Sequence, residues 1–242
     1  MIRDIDSSNF ARDVSRRTRR GRRALVIKST KCPGGDLRVE SALERDVGLM
    51  LDIDPRVIEL TAQPFTLELQ SNEMLPSRQQ YRPRTGIKAR FYTPDFLCRL
   101  DDGSLMAIDA KHSHFIEEFE TKRKDVEACL HQHGVGFMVI PNTVVSPTVM
   151  EAVGNLHLLR AGYLAPIRLA AEEELSALLG SCSSWMTTDL SSYLSSGRIG
   201  LLAGLLAGLL TADLTMPLFS STSEIRAAHG DLSHLQLLKV RV

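Results

Sequence analysis

Phe91-Tyr92-Thr93-Pro94-Asp95-Phe96-Leu97-Cys98-Arg99-Leu100, Asp101-Asp102-Gly103-Ser104, Leu105-Met106-Ala107-Ile108-Asp109-Ala110-Lys111: this stretch decides the fold. Two apolar, β-prone runs flank a turn signal, which predicts a β-hairpin. Asp101, Asp102 and Gly103 fill a three-residue loop, with Gly103 at the position that needs positive φ. That loop sets Leu100 against Ser104 and, counting outward, Asp95 against Asp109. Directly opposed residues share a face, with Cβ atoms roughly 5 Å apart. Lys111 joins Asp109 on that face because side chains alternate with period two along a strand. Two carboxylates and an ammonium converge.

Those residue types suit a divalent metal. Magnesium takes carboxylate, carbonyl and water oxygens and commonly bridges protein to phosphate. A metal so held polarises a phosphate and acidifies bound water, while a nearby lysine orients that water or steadies developing charge. The plain alternative is three unrelated surface charges. Against it, Asp109 and Lys111 close an otherwise apolar strand, where stray charges are uncommon. Upstream, residues 39–51 carry apolar side chains at 39, 43, 47 and 50, which predicts a helix with one buried side. Glu44 borders that stripe and Glu40 lies one turn away. Spacing alone does not choose between them.

An acidic helix ahead of a Pro-Asp/Asp-x-Lys hairpin, followed by another helix, resembles the restriction-endonuclease-like superfamily. More narrowly, the chain resembles the TnsA family, the endonuclease subunits of heteromeric transposases. The resemblance runs over roughly residues 36–165, through Ser41-Ala42-Leu43-Glu44, Asp52-Ile53-Asp54-Pro55, Gln63-Pro64-Phe65, Tyr92-Thr93-Pro94-Asp95-Phe96 and Ala107-Ile108-Asp109-Ala110-Lys111. It implies a mixed α/β sheet flanked by helices. It also implies that Glu44, rather than Glu40, is catalytic together with Asp95 and Lys111. Asp109 is implied as a further metal ligand, at a position where the family varies. Glu44, Asp95, Asp109 and the Ala110 carbonyl would hold magnesium or manganese, and Lys111 would position the attacking water. The activity implied is cleavage of the 5′, non-transferred strands of double-stranded DNA at transposon ends. The implied partners are a TnsB-like transposase and a TnsC-like AAA+ ATPase. A stand-alone nuclease of the same fold and a catalytically idle DNA-binding scaffold are the rival expectations.

Charge supports a DNA partner only through its distribution. The chain holds 29 basic and 29 acidic residues, so net charge argues for nothing. Arg16, Arg17, Arg19, Arg20, Arg22 and Arg23, however, crowd together, and Arg78, Arg82, Arg84, Lys88 and Arg90 form a second basic zone. Such clusters bind phosphate backbones by displacing counterions, and the first is otherwise a solvated arm. Cys32, Cys98, Cys129 and Cys182 are scattered without a C-x-x-C pair, which speaks against zinc and for a reducing, cytoplasmic setting. His112/His114 and His131/His133 read as surface or structural pairs.

Residues 1–35 read as a basic arm ending at Pro33-Gly34-Gly35, and 36–163 as the nuclease domain. Helices are expected at 115–133 and 147–160, with a strand at 135–140. Residues 164–242 read as an α-rich, winged-helix-like domain, with a recognition-type helix and wing over 205–225. The apolar run 199–212, with small residues at every fourth position, reads as one buried helix, being too short to cross a bilayer. The polar, arginine-rich N-terminus has no leader-like apolar stretch.

Overall fold

The computed structural model describes residues 24–86, 88–160, 165–179 and 183–238. It divides into two units. One takes the described residues up to Gly48 together with Arg56–Val144, and the other takes Leu49–Pro55 and the described residues from Val145 onward.

The first unit begins with an antiparallel pair, β1 (Leu25–Lys28) and β2 (Asp36–Val39). Val39 was expected to open a helix; it closes β2 instead, and α1 runs Ala42–Ile53. Ser41 is the reason. Its hydroxyl accepts the Glu44 N–H at 3.1 Å, while the Glu44 carboxylate accepts the Ser41 hydroxyl and the Glu40 N–H, each at 2.8 Å. This reciprocal capping satisfies donors that a helix start leaves orphaned. Gly48 lies on the same helix. A Cβ there would meet Ile27 Cδ1 at 3.0 Å and the Phe96 ring at 3.4 Å, so the glycine permits a close approach of helix to strands.

After β3 (Val57–Ala62), β4 (Thr66–Glu68), β5 (Glu73–Leu75) and β6 (Phe91–Tyr92) comes the decisive hairpin, β7 (Phe96–Leu100) and β8 (Leu105–Lys111). Then follow α2 (Ile116–Gln132) and β9 (Val135–Pro141). The main sheet has the order β3-β7-β8-β9, with β8 and β9 parallel and the other pairs antiparallel. Parallel neighbours need a crossover, and α2 supplies it. A smaller sheet, β5-β4-β6, lies beside this path in the sequence. Tyr92, Phe119, Val126 and Leu130 bury with Phe65, Leu67 and Ala107 in one core. The mixed α/β architecture fits a restriction-endonuclease-like fold.

The second unit carries α3 (Pro147–Arg160), α4 (Ala165–Leu178), β10 (Ser184–Met186), α5 (Thr187–Tyr193), α6 (Arg198–Leu206), β11 (Leu210–Ala212) and β12 (Glu224–Ala227). Its sheet has the antiparallel order β10-β12-β11. The run 199–212 is not the single helix expected. Gly208, at φ 70°, ends α6, with Gly208 N–H donating to the Leu205 carbonyl and Leu209 N–H to the Gly204 carbonyl. That Schellman closure turns the chain into β11. The expected packing through glycines is present: a Cβ on Gly204 would fall 2.5 Å from Leu175 Cδ1 and 2.7 Å from Leu210 Cδ1. Among the described residues no helix is long and apolar enough to cross a membrane.

Candidate active site

The hairpin register is the one the loop demands. Leu100 N–H donates to the Ser104 carbonyl at 2.9 Å, and Gly103 has φ 86°. The ladder pairs Phe96 with Ile108 and Arg99 with Leu105, so Asp95 falls opposite Asp109. Asp95 Oδ2 accepts the Ala110 N–H at 2.7 Å, which ties its carboxylate across to β8. Asp109 is buried, and its Oδ2 lies 2.6 Å from Lys111 Nζ. That contact is an ion pair without hydrogen-bond alignment: among the described residues Asp109 Oδ2 has no hydrogen-bond partner. Lys111 Nζ also sits 4.5 Å from the centre of the Phe119 ring. Asp95, Asp109 and Lys111 therefore meet on one patch at the end of β8.

Electrostatics mark the same patch. Burial holds the Asp95 carboxyl well above the usual carboxylate range. The crowding Asp109 carboxyl and the Glu44 charge push it further the same way, against the Ala110 N–H. Two carboxylates crowded in this way are a donor set that suits a hard divalent cation. Among the described residues, however, no three His, Cys, Asp or Glu side chains gather closely enough to hold a metal. Glu44 is near enough to act on Asp95, yet its carboxylate is engaged at the start of its own helix. The local resources for an ion are thus the Asp95/Asp109 pair, with Glu44 outside it.

Three features that the motif reading left unused support the patch. Tyr92 is buried beside Asp109, and among the described residues its hydroxyl makes no hydrogen bond of good geometry. Burial first, then the Asp109 and Asp95 charges, keep that phenol protonated well above its ordinary range. Gln63 donates its backbone N–H to the Asp95 carbonyl at 2.9 Å from a left-handed conformation, φ 45°. A non-glycine residue held there stores strain, a common feature of functional sites. Thr66 and Thr93 join hydroxyls at 2.8 Å, one residue ahead of Pro94. The Gln63-Pro64-Phe65 and Tyr92-Thr93-Pro94-Asp95-Phe96 strings were legible beforehand, without these contacts. The strain itself has no sequence signature.

Other expectations sort differently. The arginines Arg16, Arg17, Arg19, Arg20, Arg22 and Arg23 lie outside the described residues. In the second basic zone Arg84 pairs with Glu73, Arg90 with Asp125 at 2.9 Å, and Arg78 stacks 4.5 Å from the Phe91 ring centre. Much of that charge is therefore already engaged. His112 and His114 stack on each other, exposed, with ring centres 4.8 Å apart. His133 bonds to the Asn72 carbonyl at 2.9 Å. Glu68 is a buried carboxylate that serves the structure. Burial would raise its pKa, but donors from Arg90, Ser71 and Gln70 outweigh it and pull it below the usual range.

The first unit is a mixed α/β fold with two crowded carboxylates and a lysine at the end of β8. Residues 54–141 match the family model described as TnsA-like endonuclease N terminal. The chain carries a TnsA-like endonuclease region; the match covers less than half of its length. Asp95, Asp109, Ala110 and Lys111 fall inside the matched stretch and Glu44 outside it. No curated protein matches the chain.

Proposed function

We propose that this protein is a metal-dependent DNA endonuclease of Tn7-type transposition, cutting the 5′, non-transferred strands at transposon ends. The observation that carries the reading is the Asp95/Asp109/Lys111 patch inside the TnsA-like endonuclease stretch. Asp95 and Asp109 would hold magnesium or manganese, with the Ala110 carbonyl and Glu44 as further candidates. When bound, the metal supplies Lewis-acid activation of the phosphate and a more acidic water. Lys111 would orient the attacking water and stabilise the negative charge developing on the phosphate. The backbone N–H of Ala110 keeps Asp95 aimed, and Tyr92 and Phe119 exclude water from the rear of the patch.

The partners proposed are a TnsB-like transposase acting on the opposite strand and a TnsC-like AAA+ ATPase. Free thiols at Cys32, Cys98 and Cys129 fit a reducing cytoplasm. In the C-terminal unit, the order α4, β10, α5, α6, β11, β12, with β12 central, supports a winged-helix-like frame. Of residues 205–225, expected as a recognition-type helix and wing, only Leu205 and Leu206 are helical, at the end of the buried α6; β11 and turns follow, so no recognition helix stands there. DNA contacts are assigned to the arginine arm and the nuclease unit.

The test is cleavage of transposon-end DNA by the full chain with magnesium and its partner proteins, wild type against Asp95→Ala. Strand-specific cuts lost in the variant support the proposal. Equal cutting by both proteins sinks it. Cutting of plain DNA by the isolated chain would favour the stand-alone nuclease.

A further inference from the structure

Lys122 stands on the same face of α2 as Phe119, three residues on, where helical side chains are neighbours. Its Nζ donates to the Phe91 carbonyl at 2.9 Å and lies 5.1 Å from the centre of the Tyr92 ring. The Tyr92 and Phe119 rings are themselves 5.9 Å apart and tilted by 31°. The pair is a platform that carries two ammoniums, Lys111 over Phe119 and Lys122 over Tyr92.

The two lysines differ in what neutralises them. Lys111 is paired with Asp109 at 2.6 Å, and the neighbouring Arg90 is paired with Asp125 at 2.9 Å. Lys122 is partly buried, yet among the described residues no carboxylate lies within ion-pairing distance of its Nζ. Burial, then the like charges of Arg90 and Lys111, hold its pKa below the usual lysine range, with Asp109 opposing. A buried cation is normally paired, because leaving it unpaired is costly. One carbonyl and one ring face leave N–H donors of Lys122 unspent beside the carboxylate patch. The missing partner is an anion, and the site's own substrate class is anionic.

We propose that Lys122 is a second phosphate-binding residue of the site, its ammonium contacting a DNA backbone phosphate beside the one that is cut. The inference rests on the nuclease reading above. It gives Lys122 binding and Lys111 chemistry, so the two lysines separate in experiment.

The measurement is fluorescence anisotropy of a short random-sequence duplex with the full chain, as a function of sodium chloride, without divalent metal and again with calcium. Loss of one phosphate contact lowers the slope of log affinity against log salt by about 0.9. Lys122→Met and Lys122→Gln should each show that loss, and Lys122→Arg should keep the wild-type slope. The Gln variant retains an N–H donor for the Phe91 carbonyl, so a folding cost confined to Met is recognised as such. If Met and Gln lower the melting temperature but leave the slope at the wild-type value, Lys122 is a strut for β6 and the proposal is wrong. If the wild-type chain shows no salt-dependent DNA binding, Lys122 contacts no phosphate and this inference is wrong, while the nuclease reading is decided separately by the cleavage assay with partner proteins.

Discussion

Asp95 and Asp109 face each other across a three-residue hairpin, and the Ala110 N–H clamps Asp95 at 2.7 Å. The clamp forces two like charges together in a place where burial makes that costly. Asp95 cannot turn away without giving up that backbone contact.

That repulsion has a sign. The folded-state value of Asp95 is raised, so its charged form destabilises the fold. Stability attributable to this group is present below its unfolded value of about 3.9. It is lost as pH rises through the raised folded value. Asp95→Asn keeps an oxygen for the Ala110 N–H and removes the charge. Thermal melts should show the variant more stable than wild type at pH 7, by about 2–4 °C per 1 kcal/mol recovered. The difference should shrink toward pH 4. A variant less stable at every pH would contradict the crowding.

Metal should relieve the same strain. Manganese should raise the melting temperature of the wild type, by mass action on the folded state, and should not raise that of Asp95→Asn or Asp109→Asn. Magnesium or manganese should support cleavage, and calcium, with longer and looser coordination, binding only. Full cleavage in a chelator would rule the mechanism out.

Glu44 has a capping role and a proposed catalytic one, which two variants separate. Ser41→Ala removes one partner of the reciprocal cap and should cost about 1 kcal/mol of stability with little loss of cleavage. Glu44→Gln keeps an oxygen acceptor at the helix start while removing the charge. It should keep the wild-type melting temperature within a few degrees and lose cleavage. Retained cleavage would make Glu44 a cap only.

Neutralising the arginines from Arg16 to Arg23 should weaken duplex binding and flatten its salt dependence while leaving the metal-induced stabilisation unchanged. An unchanged salt slope would return the segment to a solvated arm.

Lys111→Ala tests the biological role by strand accounting. If this protein cuts only the strand its partner does not join, the variant leaves joining intact and the element tethered to its donor. Replication of that branched product gives fused donor–target molecules with two element copies. The ratio of fused to simple insertions should therefore rise in the variant at equal protein levels. A ratio that does not move would falsify Lys111 as the catalytic lysine.

The hairpin was legible in the sequence because loop length and a period of two are local rules. Gly103 and the apolar runs alone set Asp95 against Asp109 and put Lys111 on their face. The same locality gave α2, β9 and α3 to within a residue or so. It failed where a cap competed with periodicity, as Ser41 stopped helix α1 short of Val39, and where Gly208 broke an apolar run into α6 and β11. Burial of α6 on nearly every side, the left-handed Gln63 and the stacking of Lys111 and Lys122 on Phe119 and Tyr92 were fixed only by tertiary structure. Each depends on residues far apart in the chain meeting in a packed core, and sequence spacing carries no record of which distant surface a side chain will face.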